Sequence, residues 1–136
     1  MARRQGRKSV DRTKFREYQR VAEHFLEAAR LAMEWEYWTA AGVLIVHSAI
    51  AYSDAVAIKM SGQKSAGENH EDAIVLLKGL IADGDQKTKA INQLSRIIEE
   101  KTRVSYMGEM YTPSQTRDLW RRLERFRTWA EEILAS

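Results

Sequence analysis

The 136-residue chain has no cysteine, a single proline and only three histidines. Without cysteine there is no disulfide framework, no thiolate metal site and no cysteine nucleophile, and a reducing compartment suits the composition. Only His24, His47 and His70 could exchange protons near neutral pH as imidazoles. Uninterrupted apolar runs are also missing. The most apolar stretch, Ala40 to Met60, is broken by His47, Ser48, Ser53, Asp54 and Lys59, which makes it a poor membrane span. The start, Met1-Ala-Arg-Arg-Gln-Gly-Arg-Lys, is basic but leads into no signal-peptide hydrophobic run. A cytoplasmic location and no membrane partner are therefore expected. What is present, 44% hydrophobic and 30% charged residues, suits one globular domain with one core.

Charge is unevenly placed. Residues 1–20 hold eight basic groups and two acidic ones, while the rest of the chain holds fourteen and seventeen. The net charge of +3 thus reports a basic N-terminal stretch and not a basic body. Residues 1–11 are read as a basic, flexible arm and residues 12–136 as a single helical-bundle domain. Such an arm can track phosphates through counterion release, and the same charge suits a solubilising tail.

Apolar residues recur at helical spacing in five places and nowhere at strand spacing. Phe15, Tyr18, Val21, Ala22, Phe25, Ala29 and Ala32 predict a first helix over about 12–33. Residues 38–60 are apolar or small nearly all round, which predicts a buried central helix. A polar loop with Gly62 and Gly67 follows, then Asn69 as an N-cap for a short helix carrying Ala73, Leu76, Leu77, Leu80 and Ile81. Ala90, Ile91, Leu94, Ile97 and Ile98 predict a fourth helix over 86–104. Thr112-Pro113-Ser114-Gln115 is a capping box with Pro at the first helical position, and it opens a fifth helix with Leu119, Leu123, Phe126, Ala130 and Ile133 on one face. Short connections make consecutive helices antiparallel. The expected fold is all-α, an up-and-down four-helix bundle with a short extra helix in the middle connection.

His47 and Asp54 lie seven residues apart on one helix face, about 10 Å along the axis. Each needs a partner from elsewhere, because a buried carboxylate without one is costly. Lys101 and Arg103 are the candidates for Asp54. One reading is a buried ion pair that fixes helix register; the other is a small polar pocket lined by His47, Asp54, His70 and the glycine loop. The histidines lack close ligand spacing such as H-x-x-x-H, so no metal or other cofactor is expected. The glycine loop lacks the G-K-[ST] ending of a phosphate loop, and no G-x-S-x-G or other catalytic motif is present. On the last helix Arg117, Arg121 and Arg125 recur every four residues near Trp120 and Trp129, a surface suited to phosphates and stacked bases. Asp118, Glu124, Glu131 and Glu132 dilute it, and the tryptophans also suit a homodimer contact.

The run Ala41-Gly-Val-Leu-Ile-Val-His47-Ser-Ala-Ile-Ala-Tyr-Ser-Asp54-Ala, then Gly62, Gly67 and His70, and later Lys101-x-x-x-x-Tyr106, resembles the small bacterial HEPN-type proteins over roughly residues 20–135. The resemblance implies an antiparallel helical bundle, a homodimer, a link with nucleotides or RNA, and a nucleotidyltransferase partner in toxin–antitoxin or defence settings. Active ribonucleases of that family carry Arg followed after four to six residues by His. No histidine here has such an arginine upstream, and Arg103 is followed by Val-Ser-Tyr-Met-Gly-Glu. The expectation is a non-catalytic binding module for a nucleotide, RNA or partner protein, with His47, Asp54, His70, Lys101, Arg103 and Tyr106 at its site. The alternatives are a ribonuclease-type enzyme with a displaced active site and a purely structural homo-oligomer.

Overall fold

The computed structural model describes residues 7–66, 70–106 and 110–136. It is mostly helical: strand β1 (Arg7–Ser9), a 3-10 turn (Arg12–Lys14), helices α1 (Phe15–Glu34) and α2 (Trp38–Ser61), strand β2 (Gln63–Ser65), and helices α3 (Glu71–Leu80), α4 (Asp85–Glu99), α5 (Lys101–Tyr106) and α6 (Pro113–Ala135). Helix α2 is the axis of the molecule. It packs against all five other helices, and Ala41, Ile45, Val46, Ala49, Tyr52, Ala55, Val56 and Ile58 are buried along it. Its small side chains admit close neighbours. A Cβ on Gly42 would come within 3.0 Å of Val104 and 3.1 Å of Tyr111, so glycine sets how near α5 and the segment before α6 can lie. By length and composition α2 could cross a membrane, yet 78% of that stretch is covered inside the protein.

Helix α1 buries Ala22, Leu26 and Ala29, whereas Val21, expected inside, is 46% exposed. Helix α6 buries Leu119, Leu123, Phe126, Trp129, Ala130 and Leu134, and its capping box forms as expected, with Thr112 Oγ1 accepting from Gln115 N at 3.1 Å and Gln115 Oε1 from Thr112 N at 2.9 Å. Tyr52 ties α2 to α6: its hydroxyl donates to Glu131 at 3.1 Å and accepts from Arg127 Nε at 3.2 Å. Burial pushes this phenol up to about 12, so it stays protonated as a donor.

Two differences from the sequence reading have local causes. The fourth helix divides at Glu100, where the helical bond tightens to Ile97 O at 3.1 Å and Tyr111 Oη donates to the Glu100 carboxylate at 2.5 Å. The basic arm is not free from residue 7 onward. Arg7, Lys8 and Ser9 pair antiparallel with Ser65, Lys64 and Gln63, and Arg7 meets Asp72 at 3.4 Å. Residues 1–6 of the arm lie outside the described residues, as does Asn69, the expected cap of α3.

Helix ends explain much of the connectivity, because the last carbonyls of each helix need donors. Arg12 donates to Lys59 O at 3.0 Å and Met60 O at 3.3 Å, closing α2. Lys59 Nζ in turn closes α6 through Ile133 O at 2.8 Å and Leu134 O at 3.1 Å. Lys87 Nζ reaches Lys78 O at 2.8 Å and Ile81 O at 2.9 Å after α3. Gly62 ends α2 in the left-handed region at φ 72°, where its carbonyl accepts from Val10 N at 2.8 Å.

The α1–α2 turn is a Schellman motif: Tyr37 N bonds Ala32 O at 2.8 Å and Glu36 N bonds Met33 O at 3.0 Å. The left-handed position, φ 61°, is filled by Glu36 and not by glycine. Its side chain is exposed. Glu36→Gly is expected to stabilise the protein by about 1 kcal/mol, raising Tm by about 3–5 °C. An unchanged or lower melting temperature by calorimetry would count against the strain.

Candidate functional site

The polar side chains of interest sit on four segments that approach one another: α2, β2, the residue before α3, and the start of α5. His47 projects from α2 at the solvent edge, exposed, with its ring stacked on Phe25 of α1 at 5.4 Å between centroids. The sequence reading gave it a partner in the interior; the outer face of α2 exposes it instead. Asp54, two turns further on, is only 8% exposed. Its ion pair is with Lys64 of β2, Nζ to Oδ2 3.8 Å, and not with Lys101 or Arg103 as the sequence suggested. Lys64 also donates to Ser65 O at 2.7 Å and lies 6.0 Å from the Tyr18 ring. Its ammonium is thus shared, and at 3.8 Å it offsets only part of the desolvation of Asp54. Burial pushes that carboxyl up to about 6.

His70 immediately precedes α3 and is half-buried, and its Nδ1 is shielded from solvent without a hydrogen-bond partner among the described residues. Burial, then the charges of Lys101, His47 and Lys64, lower its pKa. His47 is likewise lowered by burial and by Lys101, modestly so given its exposed ring. Lys101 at the head of α5 is therefore close enough to act on both imidazoles. Both imidazoles thus feel Lys101, and His70 also feels Lys64, the ion-pair partner of Asp54. At neutral pH the imidazoles are neutral, and each retains a nitrogen lone pair for accepting a proton.

The remaining expected residues go elsewhere. Arg103 is exposed and turns to Glu100 at 3.8 Å, and the side chain of Tyr106 lies outside the described residues. Arg117 lies over the Trp38 ring at 5.0 Å, Arg121 pairs loosely with Asp118 at 4.0 Å, and Arg125 lines a groove between α4 and α6. The three arginines are exposed but do not converge with the histidines. Trp129, expected at the helix edge, is 9% exposed and packs against Phe126, so it is a core residue. Lys64 was missed. It sits in a three-residue strand too short to show any period, and nothing in its spacing points to Asp54. No group of three or more His, Asp or Glu that could hold a metal occurs among the described residues.

No protein-family model, characterised protein or solved structure matches the chain. The HEPN resemblance therefore rests on the residues quoted above, and the site has to be argued from its own chemistry.

Opposed titrations follow from this geometry. Asp54 is raised in the fold, so the stability it contributes is full below its ordinary pKa of 3.8 and is lost as pH rises through about 6. The histidines are lowered, so their contribution is lost as pH falls below 6.5 through their folded values. The two slopes oppose each other in the same acidic window. Asp54→Asn should leave stability rising with pH between about 4 and 6, while His47→Ala/His70→Ala should leave it falling there. Urea midpoints across pH check this, and identical profiles for the two variants would refute it.

Proposed function

We propose that the chain is a non-catalytic, HEPN-like helical module that binds a nucleotide or RNA through the side where His47, His70, Lys64 and Lys101 approach one another. The fold reading that goes with it takes α1, α2, α4 and α6 as an up-and-down four-helix bundle, with α3 in the middle connection. One observation carries the reading: Lys64 is held 3.8 Å from buried Asp54, and, after burial, Lys101 lowers the basicity of His47 while Lys101, His47 and Lys64 lower that of His70. A phosphate placed there adds negative charge beside Lys64 and His70. It also gives the imidazoles a reason to take up protons, each then donating a charge-assisted hydrogen bond.

The expected partners are a second copy of the chain and, from the resemblance, a nucleotidyltransferase. The exposed rings at the α1–α2 turn, Trp35 at 71% and Tyr37 at 65%, favour that turn as the homodimer contact over the buried Trp129. Trp35→Ala is expected to shift the protein toward monomer in sedimentation at micromolar concentration. A monomeric wild type removes this contact from the proposal.

The second reading, a ribonuclease-type enzyme, is favoured by the same neutral imidazoles, since one could serve as general base beside an ammonium that stabilises the anionic transition state. Titration calorimetry with adenosine triphosphate and cleavage of a labelled RNA distinguish the two. Under the binding reading, His47→Ala/His70→Ala weakens nucleotide binding about tenfold or more, wild-type binding tightens as pH falls toward 6, and no RNA is cut. Binding that ignores both the variant and pH refutes it. RNA cleavage lost in the variant hands the case to the enzyme.

A further inference from the structure

Most cations of this protein are already engaged. Arg7, Lys64 and Arg127 meet carboxylates, and Arg12, Lys59 and Lys87 close helix ends. The face between α4 and α6 is different. An open groove of about 420 Å³ runs there, with Gln86, Lys89 and Gln93 on one wall, Arg125 and Thr128 on the other, and Ala90 and Trp129 as its floor. None of these residues is acidic. Lys89 and Arg125 are exposed, and among the described residues neither side chain has an ion pair or hydrogen bond.

Two other surface depressions show the contrast. One places Asp83 beside Lys87, and the other sets Glu99, Glu100 and Asp118 around Arg96 and Arg122. In the first, which Lys78 also lines, Asp83 pairs with Lys87 at 2.8 Å, and in the second three carboxylates surround two arginines. In the α4–α6 groove the positive charge is uncompensated, and it extends along the walls. Gln93 accepts from Arg122 Nη1 at 3.2 Å, which ties one wall to the other. Arg121 lies one helical turn from Arg125, about 6 Å, beyond the groove lining and held loosely by Asp118 at 4.0 Å. The floor is nearly closed, with Ala90 at 4% and Trp129 at 9% exposure, and offers too little apolar surface to seat a partner helix. Its walls add the charges of Lys89 and Arg125 and the side-chain amides of Gln86 and Gln93, while the Thr128 hydroxyl donates to Glu124 O at 2.9 Å.

We infer that the α4–α6 groove binds single-stranded nucleic acid, gripping the phosphodiester backbone between Lys89 and Arg125. A strand presents closely spaced charges along one line, and its sugar and base edges can use the amides of the wall. An acidic polypeptide carries the right sign but places its carboxylates on separate flexible side chains, each of which must be ordered on binding. Recognition is of the backbone, hence tolerant of sequence and steep in salt. The site shares no residue with the His47–His70 side, and the two stand or fall separately.

The test is fluorescence anisotropy with a labelled oligouridylate of about twelve nucleotides over about 50–200 mM salt, using the full chain. Lys89→Glu/Arg125→Glu is expected to weaken binding about tenfold or more and to flatten the salt slope by roughly 0.7 for each phosphate no longer neutralised. Arg20→Glu, a charge reversal on the exposed face of α1 away from the groove, should bind the strand nearly as the wild type does. Both cations are exposed and make no ion pair among the described residues, so the double charge reversal is expected to melt with the wild type. Photo-crosslinking is a second measurement that does not depend on any variant, and it should place the strand on residues 86–93 and 125–129. The proposal is overturned if the wild type binds no oligouridylate at low salt, if the charge reversal leaves binding unchanged, if polyglutamate of equal charge binds as tightly, or if crosslinks fall only on residues 1–14.

Discussion

A helix that is apolar on every side has to be covered on every side, and α2 imposes that demand on the rest of the chain. Its interior positions are filled by small or branched aliphatic side chains and its neighbours close around it, so hydrophobic burial of this one element accounts for the placement of five others. The polar groups that α2 does carry are then forced into specific arrangements. Ser48 donates to Ala22 O at 2.9 Å, Tyr52 shares its hydroxyl with Arg127 and Glu131, and Asp54 takes Lys64. His47 escapes the demand only because its turn of the helix faces outward.

Cations do the complementary work at the ends. Helix carbonyls pointing at one another's termini would leave unsatisfied acceptors, and Arg12, Lys59 and Lys87 answer three of them from other elements or from across a turn. Lys59 belongs both to the helix whose end Arg12 closes and to the donors that close α6, so the ends of α2 and α6 are fastened at one corner. A positive side chain in this chain is thus more often a fastener than a ligand contact. Lys89 and Arg125, which face each other across the α4–α6 groove, fasten nothing among the described residues.

How far the sequence could be read depended on the range of the interaction. The extents of α1, α2, α3 and α6 followed from apolar spacing and from the Thr112–Gln115 box, because those signals act within a turn or two. The break at Glu100 carries no glycine or proline and is made by a tyrosine eleven residues away. The αL position at Glu36 was equally silent, since glycine or asparagine is the residue a reader looks for there. At the site, the need of Asp54 for an ion-pair partner was legible from its place on an apolar helix. The role of Lys64 was not, because pairing between β1 and β2 spans more than fifty residues of chain and only three residue pairs.

That small sheet ties the front of the chain to the interior. Lys64, the counterion of Asp54, is carried on a strand whose ladder partner is residues 7–9, and the next residues, Val10 and Arg12, hold the end of α2. Whatever tugs on residues 7–9 from outside must unzip the ladder that presents this ammonium to the buried acid. The counterion of the buried acid is thus held by a ladder of three residue pairs whose other strand is the front of the chain.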